Sequence, residues 1–148
     1  MEWRSFAKRN EEIVNKWKNK NNDFINSTQY NKFFDTNLDN EIKKEIVNFK
    51  IKYANDDTKF ATRKASENSL SLLNKHIVNF IGGSADLTGS NNTKTKDMNI
   101  FNAENYAGSY IYYGIREHGM AGIMNGLALH GGIKAYGGTF LVFSDYCR

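Results

Sequence analysis

The sequence predicts an α/β fold in which a small parallel sheet is flanked by helices. Helical periodicity at 62–73 and 117–129 is followed each time by a short apolar segment, at 77–81 and 133–136, of a length typical of buried strands. Helices and strands that alternate in this way are typical of parallel sheets, because each crossover needs a connecting helix. Two or three strands are too few for a complete doubly wound sheet, so we expect a partial domain.

Length and composition limit the class of protein. The chain has 148 residues, of which 40% are hydrophobic and 14% aromatic, which is enough to bury one ordinary core. The net charge of +4 comes mainly from scattered lysines, so binding to nucleic acid is not indicated. We expect a cytoplasmic protein, because no segment resembles a membrane span or a signal peptide. The single cysteine, Cys147, excludes an internal disulfide.

The first third of the chain predicts helices without visible chemistry. An apolar stripe predicts an amphipathic helix that packs on protein, and its members are Trp3, Phe6, Ile13, Val14 and Trp17. The polar residues 18–29 predict a loop, and a second stripe from Leu38 to Phe49 predicts another helix. The polar stretch 55–59 marks the boundary that we expect between a helical linker region, 1–55, and a second domain, 56–148.

The second domain is predicted to begin with a helix and a strand. Thr62 is placed to cap a helix that ends near Leu73. The strand after it is expected to end at the glycine pair Gly82-Gly83, since glycines often punctuate strands. The later elements are expected in this order: a helix over 117–129, a strand over 133–136 and a helix that begins near Thr139.

Four motifs follow one another in the second domain: Ala61–Ser66, Gly82–Asn91, Gly114–Gly132 and Tyr136–Tyr146. Together they resemble the pyrimidine-binding half of transketolase, a thiamine diphosphate enzyme of the pentose phosphate pathway. Four separate motifs in the family's order and at compatible spacing make the resemblance specific. It implies a partial thiamine diphosphate-binding fold, that of the pyrimidine domain. The helical linker region is then similar to the end of the family's first domain.

Glu117 opens an otherwise apolar helix in which glycines leave one face thin. From its position alone, this carboxylate complements the positive end of the helix dipole or pairs with Arg116. The resemblance implies instead that Glu117 is catalytic and hydrogen-bonds a ring nitrogen of the cofactor's aminopyrimidine. That role requires the carboxyl group to hold a proton part of the time, which an apolar pocket favours.

Three aromatic residues, Phe140, Phe143 and Tyr146, recur at a spacing of three residues. By spacing alone they belong to an ordinary core. The resemblance implies that they form an aromatic wall around the pyrimidine ring of the cofactor. It also implies cofactor contacts for Asp86 and Leu87, beside a contact between subunits, whereas Asp86 taken by itself fits a simple turn residue.

Arg63 and Ser90 match the positions that hold the phosphate of the sugar substrate in the family. A guanidinium suits this role because it offers a planar fork of donors to phosphate oxygens. Without the resemblance, Arg63 is best described as a solvent-facing residue at a helix start. Gly89 stands where many family members have proline, which leaves the position of Ser90 less constrained. His118 and His130 lack suitably spaced partners, so we expect them to be structural or surface residues.

The activity implied by the resemblance is transfer of a two-carbon ketol unit from a ketose phosphate to an aldose phosphate. The cofactors implied are thiamine diphosphate and a divalent cation such as Mg²⁺, held by a domain absent from this chain. A partner chain in a homo- or hetero-oligomer then has to supply that side, and the chain alone is expected to be inactive. The alternatives are a related thiamine enzyme, such as dihydroxyacetone synthase or deoxyxylulose phosphate synthase, and a non-catalytic remnant or protein-contact fragment of a transketolase.

Overall fold

The computed structural model describes residues 2–35 and 37–148, apart from a few side chains near the start of the first helix. Trp3, which the predicted amphipathic stripe includes, has its side chain outside the described part. The chain divides into two compact units, Met1–Asp35 and Thr36–Arg148. No helix in the described part is long and apolar enough to cross a membrane.

The first unit consists of helix α1, Glu2–Ile25, and helix α2, Thr28–Phe34. The prediction of a loop over 18–29 is wrong for most of its length, because α1 continues to Ile25. Asparagine side chains that bond to the preceding turn support this extension, as when Asn21 donates to the Trp17 carbonyl oxygen at 2.8 Å. The remaining apolar stripe of α1 is exposed at Phe6, Ile13, Val14 and Trp17.

The second unit begins with helix α3, Asn40–Ala54, and helix α4, Thr62–His76. Asp39 caps α3, since its side chain accepts from the Ile42 amide at 2.9 Å. The cap predicted for α4 is wrong by one position: Ala61 is the N-cap, without a side-chain bond, and Thr62 is already helical. The two helices pack together and bury Ile42 with Leu70.

Three parallel strands follow: β1, Phe80–Ser84; β2, Tyr110–Tyr112; and β3, Lys134–Gly138. Their order is β2-β1-β3, so β1 is central, with Gly82 opposite both Tyr110 and Tyr136. The first predicted strand is displaced, because Ile77 caps the end of α4 and pairing begins at Phe80. The strand β2 was not predicted, since three residues are too few to show a periodic pattern.

The glycine pair lies inside β1 and does not end it. A Cβ at Gly82 would lie 2.2 Å from the Tyr136 ring, and one at Gly83 would lie 1.8 Å from the Ile111 carbonyl oxygen. Neighbouring groups therefore fill the space that side chains would need on both faces of the strand. The two glycines thus allow neighbouring groups to come close to β1, while the backbone of the strand remains extended.

Helices cover both faces of the sheet. The remaining elements are α5, Thr88–Asn91; α6, Glu117–His130; and a 3₁₀ helix, Leu141–Cys147. One core cluster contains Leu70, Phe80 and Tyr110, and the other contains Ala85, Tyr113 and Met120. Successive strand residues point to opposite faces, which separates the two clusters. The structure is thus the α/β fold that the sequence predicts, with a sheet of three parallel strands flanked by helices.

Candidate functional site

The candidate site lies at the carboxyl ends of the strands, where ligands of open parallel sheets bind. The central strand ends at Ser84 and β3 ends at Gly138, in register with each other. The segments that follow the three strands carry Asp86, Glu117 and Phe140 respectively. The topology therefore brings three of the four sequence motifs to one edge of the sheet.

Glu117 is the first residue of α6, and its side chain is half-buried. The adjacent Arg116 donates from Nη1 to the Tyr113 carbonyl oxygen at 2.9 Å, across the turn that enters the helix. Among the described residues, the Glu117 carboxylate forms neither a hydrogen bond nor an ion pair, so the pairing with Arg116 that spacing allows is not made. A half-buried carboxylate without a protein partner is able to bind a ligand group.

The turn before Glu117 depends on Gly114. Its φ is +67°, in the left-handed region, and a Cβ there would lie 2.6 Å from Nη1 of Arg116. The Arg116 amide also donates to the Gly114 carbonyl oxygen at 2.8 Å. The backbone conformation at 114 therefore favours glycine.

The three aromatic residues lie on and just before the 3₁₀ helix. Phe140 is the extended residue before it, and Phe143 and Tyr146 face the same side because this helix has three residues per turn. The rings of Phe143 and Tyr146 are 6.2 Å apart and tilted by 39°. Phe140 and Phe143 are half-buried, whereas Tyr146 is 64% exposed. The predicted helix near Thr139 is therefore a 3₁₀ helix that begins at Leu141.

The loop after β1 has an unusual backbone conformation. Asp86 and Leu87 have φ values of 57° and 51°, and Asn92 has one of 56°, all in the left-handed region. Such residues are costly unless surrounding contacts hold them, and they are common at binding sites. Asp86 and Ser90 are exposed, and Leu87 is half-buried. The loop presents two of the predicted site residues to the solvent at the sheet edge.

A cavity of about 340 Å³ brings Arg63 and Phe140 together. It lies between the start of α4 and the end of β3, and its lining includes Thr62, Ser66, Asn91 and Thr139. Ser90, Glu117, Phe143 and Tyr146 are not part of this lining. The cavity offers a guanidinium, hydroxyl groups and two aromatic rings, those of Tyr136 and Phe140, which suits a polar ligand that carries an anionic group.

A buried polar network beneath the cavity was missed by the sequence analysis. Ser84, Asn91, Thr93 and Tyr110 are all buried, and consecutive members are hydrogen-bonded at 2.6–2.8 Å. Burial raises the pKa of the Tyr110 hydroxyl above its usual value. No sequence motif indicates the network. The side chains of Asn91 and Thr93 bond to each other inside the protein.

Two hydroxyl groups near the strand ends are buried without a partner among the described residues. They belong to Tyr113, which follows β2, and to Thr139, which lines the cavity. Burial raises the pKa of Tyr113 as well. In the described chain, no three His, Cys, Asp or Glu side chains lie close enough to hold a metal ion. Cys147 packs half-buried beside Tyr113 and Met120 as an apolar residue.

Comparison with known proteins gives a single family. Residues 58–148 match the family described as "Transketolase, pyrimidine binding domain". A transketolase of Cereibacter sphaeroides is 55% identical over 103 residues, which are 70% of this chain and 16% of the relative. The chain therefore spans about a sixth of the length of this curated relative.

Solved structures give the same result. A transketolase of Campylobacter jejuni has a TM-score of 0.66 against this chain. The two are 31% identical, and the match covers 93% of this chain and 20% of that one. A transketolase of Pichia stipitis, solved in complex with sedoheptulose 7-phosphate, has a TM-score of 0.60 and 49% identity over 62% of this chain and 14% of that one. Both agree in fold and in sequence.

Proposed function

This chain belongs to the transketolase family, and from that premise we propose that it supplies the pyrimidine side of a thiamine diphosphate site. The reaction is the transfer of a two-carbon ketol unit from a ketose phosphate to an aldose phosphate. One observation carries the proposal: the Glu117 carboxylate stands at the carboxyl edge of the sheet without a protein partner in the described chain. The ion pair with Arg116, which would give this carboxylate a structural role, is not formed in the described chain.

The residues present fit one half of the cofactor. Glu117 offers a carboxyl group to a ring nitrogen, and the half-buried Phe140 and Phe143 offer flat faces to a pyrimidine. Among the described residues, no three His, Cys, Asp or Glu side chains lie close enough to hold a metal ion. We therefore assign the pyrimidine contacts to this chain, with Asp86 and Leu87 beside them. The diphosphate and its divalent cation, such as Mg²⁺, belong to a partner.

The part played by Glu117 is to hold and return a proton at the pyrimidine ring nitrogen. When bound, thiamine diphosphate supplies the electron sink for breaking a carbon–carbon bond. Glu117 donates its proton to the ring nitrogen in one direction and recovers it in the other, which is general acid–base catalysis. We assign to Phe140, Phe143 and Tyr146 the role of orienting the ring by stacking.

The cavity beside Phe140 is the proposed site for the sugar phosphate. Arg63 lines it and offers paired donors to phosphate oxygens, with Ser90 on the adjacent loop as a further donor. Thr62 and Ser66 add hydroxyl groups that suit the polyol part of a sugar. The Pichia stipitis relative was solved with sedoheptulose 7-phosphate, a ligand of this class.

A complete enzyme requires further protein, since the chain matches only 16% of the Cereibacter sphaeroides relative. We assign the helical region 1–55 to the linker that leads out of the diphosphate-binding domain, and 56–148 to the pyrimidine domain. The partner is then a chain or chains carrying the diphosphate-binding side in a homo- or hetero-oligomer. The reaction would place the protein in the cytoplasmic pentose phosphate pathway.

The test is a ketol-transfer assay on this chain co-purified with a diphosphate-binding transketolase chain. Xylulose 5-phosphate serves as the donor and ribose 5-phosphate as the acceptor. We expect sedoheptulose 7-phosphate to form only when both chains, thiamine diphosphate and Mg²⁺ are present. A stable complex that binds thiamine diphosphate but forms no product would favour the non-catalytic fragment instead.

A further inference from the structure

Thr93 is the junction of a buried network that joins the loop after β1 to β2 and β3. Its hydroxyl donates to the side-chain oxygen of Asn91 at 2.8 Å and lies 2.8 Å from the Tyr110 hydroxyl in β2. Its carbonyl oxygen accepts from the Tyr136 hydroxyl of β3 at 2.7 Å. Thr93 is 6% exposed, so water cannot replace these partners easily.

The donor and acceptor of each hydrogen bond in the network can be assigned. Because the single Thr93 hydroxyl hydrogen goes to Asn91, the Tyr110 hydroxyl has to donate to Thr93. The Thr88 hydroxyl, 2.8 Å from that of Tyr110, then has to donate to Tyr110. Beyond Thr93, the Asn91 amide donates to the Ser84 hydroxyl at 2.6 Å. The Tyr110 and Thr93 hydroxyls are thus each both donor and acceptor, which strengthens a chain of hydrogen bonds.

The far end of the network reaches the end of β3. The Ser84 hydroxyl donates to the Gly138 carbonyl oxygen at 3.1 Å or to that of Asp86. Gly138 is two residues before Phe140, and Asn91 directly follows Ser90. Asn91 and Thr93 also line the cavity that contains Arg63. The network therefore links the loop of the proposed phosphate site to the strand end before the proposed aromatic wall.

We propose that Thr93 is a positioning residue, which fixes the loop that carries Ser90 relative to the strand end that carries Phe140. It acts through Asn91, whose amide donates to Ser84, and the Ser84 hydroxyl in turn reaches the Gly138 carbonyl oxygen. We assign Thr93 no contact with the cofactor or the reacting atoms. Its effect on ligand binding rests on the proposed function. Its effect on the backbone of the loop does not.

Two substitutions distinguish the effect of the Thr93 hydrogen bonds from the effect of its side-chain packing. Thr93→Val keeps the shape and loses the hydroxyl, whereas Thr93→Ser keeps the hydroxyl and loses the methyl group. If hydrogen bonding positions the loop, amide exchange over 88–93 becomes about fivefold to tenfold faster in Thr93→Val and stays close to wild type in Thr93→Ser. If packing alone matters, the order of the two variants is reversed. The measurement uses the full chain.

Gly138 gives an independent test of the same junction. A Cβ at 138 would lie 2.3 Å from the Thr93 methyl carbon, while every other atom is 3.5 Å away or farther. Gly138→Ala should therefore displace Thr93 and speed amide exchange in the loop, and adding Thr93→Ser should restore the slow exchange. Gly89→Ala is the matched control, because a Cβ there meets nothing within 4 Å.

The functional consequence is measured as the Kd for ribose 5-phosphate in the complex with the partner chain. We expect Thr93→Val to weaken ribose 5-phosphate binding about fivefold to tenfold, and we expect Thr93→Ser to bind it as the wild type does. If amide exchange over 88–93 is as slow in Thr93→Val as in the wild type, the inference is overturned. If Thr93→Val does not fold, the Gly138→Ala variant decides: the inference is overturned when adding Thr93→Ser fails to restore slow exchange. Faster exchange combined with no binding by the wild-type complex supports the positioning role and contradicts the proposed function.

Discussion

Arg116, the sequence neighbour of Glu117, donates from Nη1 to the Tyr113 carbonyl oxygen at 2.9 Å. The two side chains are adjacent in sequence and opposite in charge, yet no ion pair joins them in the described chain. Arg116 thus stabilises the turn into α6, and Glu117 remains available at its first position. This arrangement separates a structural charge from a proposed catalytic one.

Replacing a glycine by alanine should lower the stability of the protein in β1 and raise it in α6. Gly83→Ala places a Cβ 1.8 Å from the Ile111 carbonyl oxygen, so β1 and β2 must move apart at a cost of about 3 kcal/mol. Gly126→Ala meets nothing within 4 Å and should stabilise α6 by about 1 kcal/mol through helix propensity. Urea unfolding of both variants measures the difference. Equal stability of the two would contradict the close approach of β1 and β2.

The Tyr136 hydroxyl should make the free energy of unfolding fall as the pH becomes alkaline. It donates to the Thr93 carbonyl oxygen at 2.7 Å, so Tyr136→Phe should cost about 1 kcal/mol at pH 7. Burial raises the Tyr136 pKa far above the unfolded value of about 10. Above that value the unfolded state loses the proton while the folded state keeps it, so wild-type stability falls as pH rises.

Phenylalanine cannot lose that proton, so the stability difference between wild type and Tyr136→Phe should narrow between pH 7 and pH values above about 10. Urea unfolding at the two pH values measures it. A constant difference would show that the Tyr136 hydroxyl ionises alike in both states.

Two adjacent cations at the start of α4 allow a matched test of the proposed phosphate site. Arg63 lines the cavity, whereas Lys64 pairs with Glu67 at 2.6 Å on the surface. Arg63→Ala should weaken ribose 5-phosphate binding by about tenfold to a hundredfold, the value of a charge-assisted hydrogen bond. Lys64→Ala removes the same charge and should change the Kd little. Equal losses in the two variants would indicate a general charge effect and remove Arg63 from the site.

The chain made alone should self-associate through apolar residues beside the candidate site. Ile115, Leu141 and Val142 are all exposed near the carboxyl edge of the sheet. Exposed apolar patches of this kind promote association. Val142→Lys should shift the chain towards monomer in sedimentation velocity, while Val78→Lys, at an exposed valine before β1, serves as the control. A wild-type chain that is monomeric at every concentration would contradict this prediction.

The motifs predict the family, whereas the roles of Glu117, Arg63 and Phe140 stay predictions. Periodicity predicts the bounds of the elements less well. It places the end of a strand at Gly82 and Gly83, because glycine usually marks one, and this is wrong. Here Tyr136 and Ile111, brought close only by folding, require glycine inside β1.

The polar network was not predictable for a similar reason. Asn91 and Thr93 are polar residues in a loop, a pattern that usually means solvent exposure. They are buried because Tyr110 and Tyr136, from two later strands, carry hydroxyl groups to them. No local pattern shows that long-range pairing, and a three-residue strand such as β2 gives no periodic pattern either.

The most direct measurement of the central claim compares wild type with Glu117→Ala in the ketol-transfer assay with the partner chain. We expect wild-type activity to require thiamine diphosphate and Glu117→Ala to lose about a hundredfold or more, as general acid–base roles do. Glu104→Ala, an exposed carboxylate in the 102–107 turn, is the control and should retain activity. Full activity in Glu117→Ala, in a complex that assembles normally, would contradict the catalytic assignment.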